Sequence, residues 1–136
     1  MRTLFSYGTL RLGEKNAHII KPHGNYKETV KTVEKYIMIT DNFRTFPSLI
    51  SSNTWPEMSH KAVEIVGDAY DITELGIRCT DVLAGHPQFH IRTTISVKND
   101  AGHIYTVETY ILDDLTLLNT SNIVFLNGDW KALNYA

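Results

Sequence analysis

The residues best placed to do chemistry are the run Tyr-Gly-Thr-Leu at 7–10, which ends an apolar start to the chain. Gly8 interrupts a strand-forming pattern, lets the backbone turn sharply and leaves its amide groups open to a ligand. A loop of this kind holds an anionic group with backbone N–H donors and needs no cationic side chain. By itself the tetrapeptide favours an ordinary strand that ends in a turn, so the case for a binding loop depends on the rest of the chain.

Other polar side chains also fall where strands end and loops begin, which is where sites are usually built. They are Tyr7, Thr9, Arg11, Asn16, His86, His90, Arg92, Glu108 and Tyr110. His86 and His90 lie four residues apart, but Pro87 between them prevents the shared helical face that metalloprotease ligands use. We therefore expect no metal site.

The sequence lacks the motifs of several common enzyme classes. It contains no Gly-x-Ser-x-Gly, so no serine nucleophile stands in the context that hydrolases of that type require. It also contains no Gly-x-Gly-x-x-Gly and no Gly-Lys-Thr run for binding phosphates.

Length and composition describe an ordinary globular protein. The 136 residues amount to one domain, 1–136, and the net charge of −2 gives no basic face for nucleic acid. Cys79 is the single cysteine and cannot form an internal disulfide. No signal peptide or membrane span is visible. We expect a cytoplasmic protein that binds neither nucleic acid nor membrane and is a monomer or weak dimer.

Strands dominate the predicted secondary structure. Alternation and β-branched residues predict strands at 2–7, 26–40, 62–72, 90–97 and 103–112, a hairpin turn at 99–102 and a loop at 41–56. Gly67 suggests a bulge. One helix, 74–83, follows Thr73 as its N-cap and ends at Gly85, while 14–20 is a short helix or an irregular segment.

One helix among several strands predicts an α+β fold. The strands cannot be joined mainly by βαβ crossovers, because those need a helix between each pair. A small mixed, mostly antiparallel β-barrel with one or two flanking helices fits best.

Four segments and the chain's end carry a resemblance. They are YGTLR at 7–11 with Asn16, FPSL at 46–49, IVGDAYDI at 65–72, DVLAGHP at 81–87 followed by Arg92, and GDW at 128–130. In this order they resemble the γ-glutamylcyclotransferase-like family, which includes γ-glutamylamine cyclotransferases and the AIG2-like and BtrG-like proteins. The resemblance spans nearly the whole chain.

The resemblance implies a barrel with a pocket at one mouth and a reaction that needs no cofactor. In that reaction the α-amine of a γ-glutamyl group attacks its own γ-carbonyl, releasing 5-oxoproline and an amine. Such a site needs donors that hold the substrate and a base that takes the ammonium proton. By resemblance or position, the predicted substrate-binding residues are Tyr7, Gly8, Thr9, Leu10, Asn16, Pro47, Ser48, Arg92 and Tyr110. The expected partner is a small γ-glutamyl or related amino-acid-like molecule.

One departure from the family pattern concerns the proton carrier. Where the family has the glutamate that transfers the proton, this chain has Ala84. Alanine cannot titrate, and the loss of a general base typically lowers a rate about 10²–10⁴-fold. The resemblance therefore implies a protein that is inactive or weakly active.

Several explanations of Ala84 stay open. The chain is an inactivated variant, a pseudoenzyme that keeps its pocket for binding, or an enzyme with a substitute base. Asp81, His86 and His90 are candidates for that base, and His90 comes first because histidine titrates near neutral pH. Alternatively, the barrel is a non-catalytic binding or protein-interaction module, because a fold does not fix a function. We expect the 7–10 loop, Ala84 and Tyr110 to border one cavity.

Overall fold

The computed structural model describes residues 1–118 and 120–131. Within these residues the chain forms eight strands and one α-helix. They are β1 (Arg2–Ser6), β2 (Gly24–Thr32), β3 (Ile37–Thr40), β4 (Ser48–Ile50), β5 (Val66–Ile72), α1 (Glu74–Ala84), β6 (His90–Lys98), β7 (Ile104–Leu112) and β8 (Val124–Phe125). Short 3₁₀ turns at Ala17–Ile19, Pro56–Lys61, Leu115–Leu117 and Thr120–Asn122 connect some of them. No helix in the described part of the chain is both long and apolar enough to cross a membrane.

Strand pairing produces a closed barrel and a separate sheet. The barrel order is β1-β5-β2-β6-β7, and the three-stranded sheet has the order β4-β3-β8. The barrel closes where β1 pairs in parallel with β7 at Leu4 and Glu108, and its other pairings are antiparallel. The predicted α+β fold with a mixed, mostly antiparallel barrel is therefore confirmed.

The local signals for the hairpin and the helix are confirmed. The 99–102 turn joins β6 to β7, with the N–H of Asn99 donating to the carbonyl of His103 at 3.0 Å. Thr73 caps α1 by accepting the N–H of Gly76 at 3.1 Å. Gly85 ends α1 in the left-handed conformation, with φ of 73°, which favours glycine.

The predicted strand at 26–40 is wrong in one respect, because it forms two strands. β2 stays in the barrel, while β3 leaves it and enters the three-stranded sheet. Residues 33–36 make the change of direction, and there the Thr32 hydroxyl donates to the carbonyl of Glu34 at 2.5 Å. Alternating side chains run through this break without interruption, so the pattern does not reveal it.

Two further predictions need correction. The predicted loop at 41–56 contains β4, whose three residues are all buried against β3, which explains its apolar composition. The bulge lies in β2, between Tyr26 and Glu28, and not at Gly67. Gly67 instead allows close packing, because a Cβ there would lie 2.5 Å from the Phe5 ring and from the Ser6 carbonyl oxygen.

A buried ion pair joins the segment after β1 to the barrel. Arg11 is 4% exposed and Asp68 on β5 is 1% exposed, and their side chains meet at 3.3 Å. Asp68 also accepts the N–H of Leu12 at 2.8 Å and the hydroxyl of Thr29 at 3.0 Å. The guanidinium of Arg11 reaches Asp129 near the end of the described chain at 2.8 Å.

Removal of Asp68 should be strongly destabilising. Asp68→Ala leaves a buried guanidinium without its main counter-ion, which should lower the free energy of unfolding by about 3–5 kcal/mol. Asp71→Ala on the same strand is the matched control, because Asp71 is only half-buried, and should change stability by about 0.5 kcal/mol. Urea denaturation of both variants measures the difference. Equal losses of unfolding free energy in the two variants would show that the buried ion pair does not stabilise the fold more than an ordinary surface residue does.

Candidate functional site

A cavity of about 190 Å³ opens at the barrel end where β1 and β7 finish and β6 begins. Four stretches distant in sequence bound it: the end of β1 with the loop after it, the segment before β4, the junction between α1 and β6, and Tyr110 on β7. The lining residues are Leu4, Phe5, Ser6, Tyr7, Gly8, Thr9, Leu10, Lys15, Asn16, Thr45, Phe46, Pro47, Leu83, Ala84, Phe89, His90 and Tyr110. The lining is mostly apolar.

Residues 8–10 of the loop after β1 line this cavity. The Gly8 carbonyl accepts the N–H of Arg11 at 3.0 Å, and the Thr9 carbonyl accepts that of Asn16 at 2.9 Å. The Asn16 amide also donates to the Thr9 hydroxyl at 3.0 Å. Within residues 1–118 and 120–131, the N–H groups of Gly8, Thr9 and Leu10 donate to no protein acceptor. Three adjacent free donors can hold an anionic group.

Gly8 is required by the close approach of the segment before β4. A Cβ at this position would lie 2.6 Å from Cγ of Pro47, well inside van der Waals contact. Two of the segments that carried the family resemblance, 7–11 and 46–49, therefore touch at the cavity wall.

The two tyrosines of the lining are held by hydrogen bonds. The Tyr7 hydroxyl donates to the carbonyl of Tyr110 at 2.7 Å, and burial raises the pKa of Tyr7. The Tyr110 hydroxyl donates to a carboxylate oxygen of Asp81 at 2.6 Å and lies 2.7 Å from the Thr80 hydroxyl. Burial is also the main reason that the pKa of Tyr110 is raised. Both side chains are neutral phenols at physiological pH.

His90 is buried and both of its ring nitrogens are engaged. Nδ1 lies 3.0 Å from the carbonyl oxygen of Ala84, and because a carbonyl only accepts, Nδ1 carries the proton. Nε2 lies 2.8 Å from Oγ of Ser48 and accepts its hydroxyl proton. Burial lowers the pKa of His90, so the ring is neutral. Ser48 stands behind the wall and holds His90, and it does not line the cavity.

Ala84 lines the cavity as the last residue of α1, and none of the described lining residues is Asp or Glu. Asp81, one turn earlier, is half-buried. Burial opposes its ionisation, but the hydrogen bonds from Arg92 and Tyr110 outweigh burial and lower its pKa. Asp81 is therefore a carboxylate committed to two partners.

Arg92 lies outside the lining, and its predicted contact with a ligand stays a prediction. It forms ion pairs with Asp81 and, at 3.3 Å, with Glu108. Arg2 bonds to Glu108 as well and lies 2.5 Å from Glu74. Arg92 thus belongs to a network of charges that ties α1 to the barrel.

The structure brings most of the predicted site residues together. Tyr7, Gly8, Thr9, Leu10, Asn16, Pro47, Ala84, His90 and Tyr110 line one cavity, while Ser48 and Arg92 support it from outside. Their roles in binding or catalysis stay predictions. Among the described residues, no three His, Cys, Asp or Glu side chains gather to hold a metal ion.

Sequence reasoning missed eight lining residues: Leu4, Phe5, Ser6, Lys15, Thr45, Phe46, Leu83 and Phe89. A signal existed for Phe46, which falls in a segment unusually apolar for a loop. Lys15 had no signal, because an isolated lysine before a short turn looks like any surface residue.

Comparison with known proteins agrees with this arrangement. A family model described as gamma-glutamyl cyclotransferase, AIG2-like, matches residues 4–132. A candidate gamma-glutamylcyclotransferase of Methanocaldococcus jannaschii is 28% identical over 131 residues, covering 96% of this chain and 97% of that protein. An AIG2-like protein of Mus musculus shares the fold, with a TM-score of 0.75 and 20% identity over 94% of this chain and 87% of that one. YkqA of Bacillus subtilis superposes with a TM-score of 0.64 at 25% identity, over 96% of this chain and 39% of that one. The family match spans nearly the whole chain, so this protein belongs to the gamma-glutamyl cyclotransferase, AIG2-like family.

Proposed function

We propose that this protein binds a small γ-glutamyl or related ligand in the cavity and does not turn it over at an appreciable rate. The observation that carries the proposal is a cavity that keeps the donor loop at 7–10 but has no carboxylate at Ala84 or elsewhere on its described lining. The donor loop that would hold the ligand is kept, and the carboxylate that would take its proton is absent from the described lining.

The first step of the family reaction is a proton transfer that needs a base. The α-amine of a γ-glutamyl group is an ammonium ion at neutral pH and must lose a proton before it can attack the γ-carbonyl. With alanine at position 84, that proton has no carboxylate acceptor in the cavity. Positioning by the loop still contributes, so the expected outcome is a slow residual reaction and not a complete loss.

Neither neighbouring group is suited to replace the base. The basic lone pair of His90 already accepts the Ser48 hydroxyl proton, and protonation of the buried ring is unfavourable. The carboxylate of Asp81 accepts from Tyr110 and Arg92, and Asp81 does not line the cavity. In our proposal both groups shape the wall and neither transfers the substrate proton.

Restoring the acid should restore the chemistry. Ala84→Glu places a carboxylate in the cavity, and we expect release of 5-oxoproline from γ-glutamyl amines to rise by about 10²-fold or more over the unaltered protein. Ala84→Gln is the matched control, because it has similar volume but cannot accept the ammonium proton, and its rate should stay low. Product formation is followed by chromatography, with circular dichroism to verify folding. Turnover by the unaltered protein equal to that of Ala84→Glu would overturn the proposal.

Because His90 is buried in its neutral form, the protein should become less stable as the pH falls. Because burial lowers its folded-state pKa below the ordinary value of 6.5, the unfolded chain binds the proton more readily. Stability should therefore fall as pH drops below 6.5, by up to about 1.4 kcal/mol per pH unit from this group. In His90→Gln, the free energy of unfolding should change less with pH than it does in the unaltered protein.

Urea denaturation between neutral pH and pH 5 measures this slope. His103→Gln, at an exposed position after the hairpin turn, is the control and should keep the slope of the unaltered protein. An unchanged slope in His90→Gln would mean that His90 is not held in its neutral form.

A further inference from the structure

Resting on the small-molecule pocket of the proposed function, we infer that its preferred ligand is an arylalkyl monocarboxylate that carries no ammonium group. The inference concerns which part of an amino-acid-like molecule this cavity accepts and which part it rejects. It follows from the charges on the lining and from the aromatic rings on one wall.

The charge balance of the cavity is one-sided. Lys15 is the one formally charged side chain among its described lining residues, since none of them is Asp or Glu and His90 is neutral. An ammonium group that enters loses water and finds no carboxylate to replace it. Such a group costs free energy to bury unless it is paired. The cavity therefore binds cations and zwitterions, γ-glutamyl compounds among them, less tightly than an anion of the same size that carries no ammonium group.

An anionic group, by contrast, can be bound by unpaired hydrogen-bond donors on residues at one side of the cavity. The free N–H groups of Gly8, Thr9 and Leu10 are adjacent there. Lys15 uses one of its three N–H donors on the carbonyl of Thr45 at 3.2 Å, which leaves two for a ligand. Backbone donors and one cation together suit a carboxylate.

The aromatic residues on one wall of the cavity favour a ligand whose remaining part is apolar. The rings of Phe46, Phe89 and His90 form an edge-to-face cluster, with centroids 4.6 to 6.0 Å apart. Phe46 and Leu83 remain 42% and 44% exposed, so apolar surface at the cavity is left uncovered. An aryl group covers this surface and adds another edge-to-face contact.

The test compares phenylpropionate, phenethylammonium and L-phenylalanine, which share a skeleton and differ in charge. Isothermal titration calorimetry at neutral pH and low salt should show phenylpropionate binding at least about tenfold more tightly than either of the others. Equal or tighter binding of phenethylammonium or L-phenylalanine would overturn the inference.

A fourth probe separates this inference from the function on which it rests. γ-Glutamylanilide has an aryl group and a carboxylate but also an ammonium group. If it binds and phenylpropionate does not, the inference is wrong while the proposed ligand pocket stands. If neither produces a saturable signal, the inference and the ligand-binding half of the proposed function both fail.

Charge-changing variants test whether Lys15 and position 84 determine which ligand charge the cavity prefers. Lys15→Glu should weaken phenylpropionate binding about fivefold or more and favour phenethylammonium, whereas Lys21→Glu makes the same charge change at an exposed position outside the lining and should have little effect. Ala84→Glu should shift the preference in the same direction as Lys15→Glu. Identical ligand preferences in all three variants and the unaltered protein would show that charge does not select the ligand.

Discussion

The buried pair of Arg11 and Asp68 is the constraint from which the rest of the site follows. Arg11 comes directly after the 7–10 loop, and Asp68 stands in the middle of a barrel strand, so the pair anchors the far end of the loop to the barrel. A buried charge pair is stable only when further hydrogen bonds complete it, and Leu12, Thr29 and Asp129 supply them. With the loop anchored at Arg11 and packed on Pro47 at Gly8, its amide donors stay unused and available.

The other side of the cavity is held by two hydrogen bonds of His90, one to a side chain and one to a main-chain carbonyl. Ser48 on β4 fixes Nε2 of His90, and Nδ1 of His90 donates to the carbonyl of Ala84. That carbonyl is present whatever side chain occupies position 84. The hydrogen bond that holds this wall therefore does not depend on the side chain at position 84.

Sequence patterns predicted what depends on neighbours along the chain and missed what depends on distant contacts. The cap at Thr73, the end of α1 at Gly85 and the 99–102 turn are local, and each is confirmed. The family motifs predicted that these residues border one cavity, although they meet there through contacts between stretches distant in sequence. Ser48 and Arg92 do not line that cavity and instead bond to partners that lie 42 and 11 or more residues away. Pattern alone does not reveal such pairing.

A single position thus governs two properties that are usually discussed separately. A glutamate at position 84 would serve as a base for the ammonium proton. It would also be the counter-ion that stabilises an ammonium group bound in the cavity. Asp81, one turn earlier, bonds to Arg92 and Tyr110 and does not line the cavity. In our two proposals, alanine at position 84 lowers the rate and changes the charge preference together, while the donor loop remains. Loss of catalysis and a change of ligand class then have one proposed cause, the missing carboxylate.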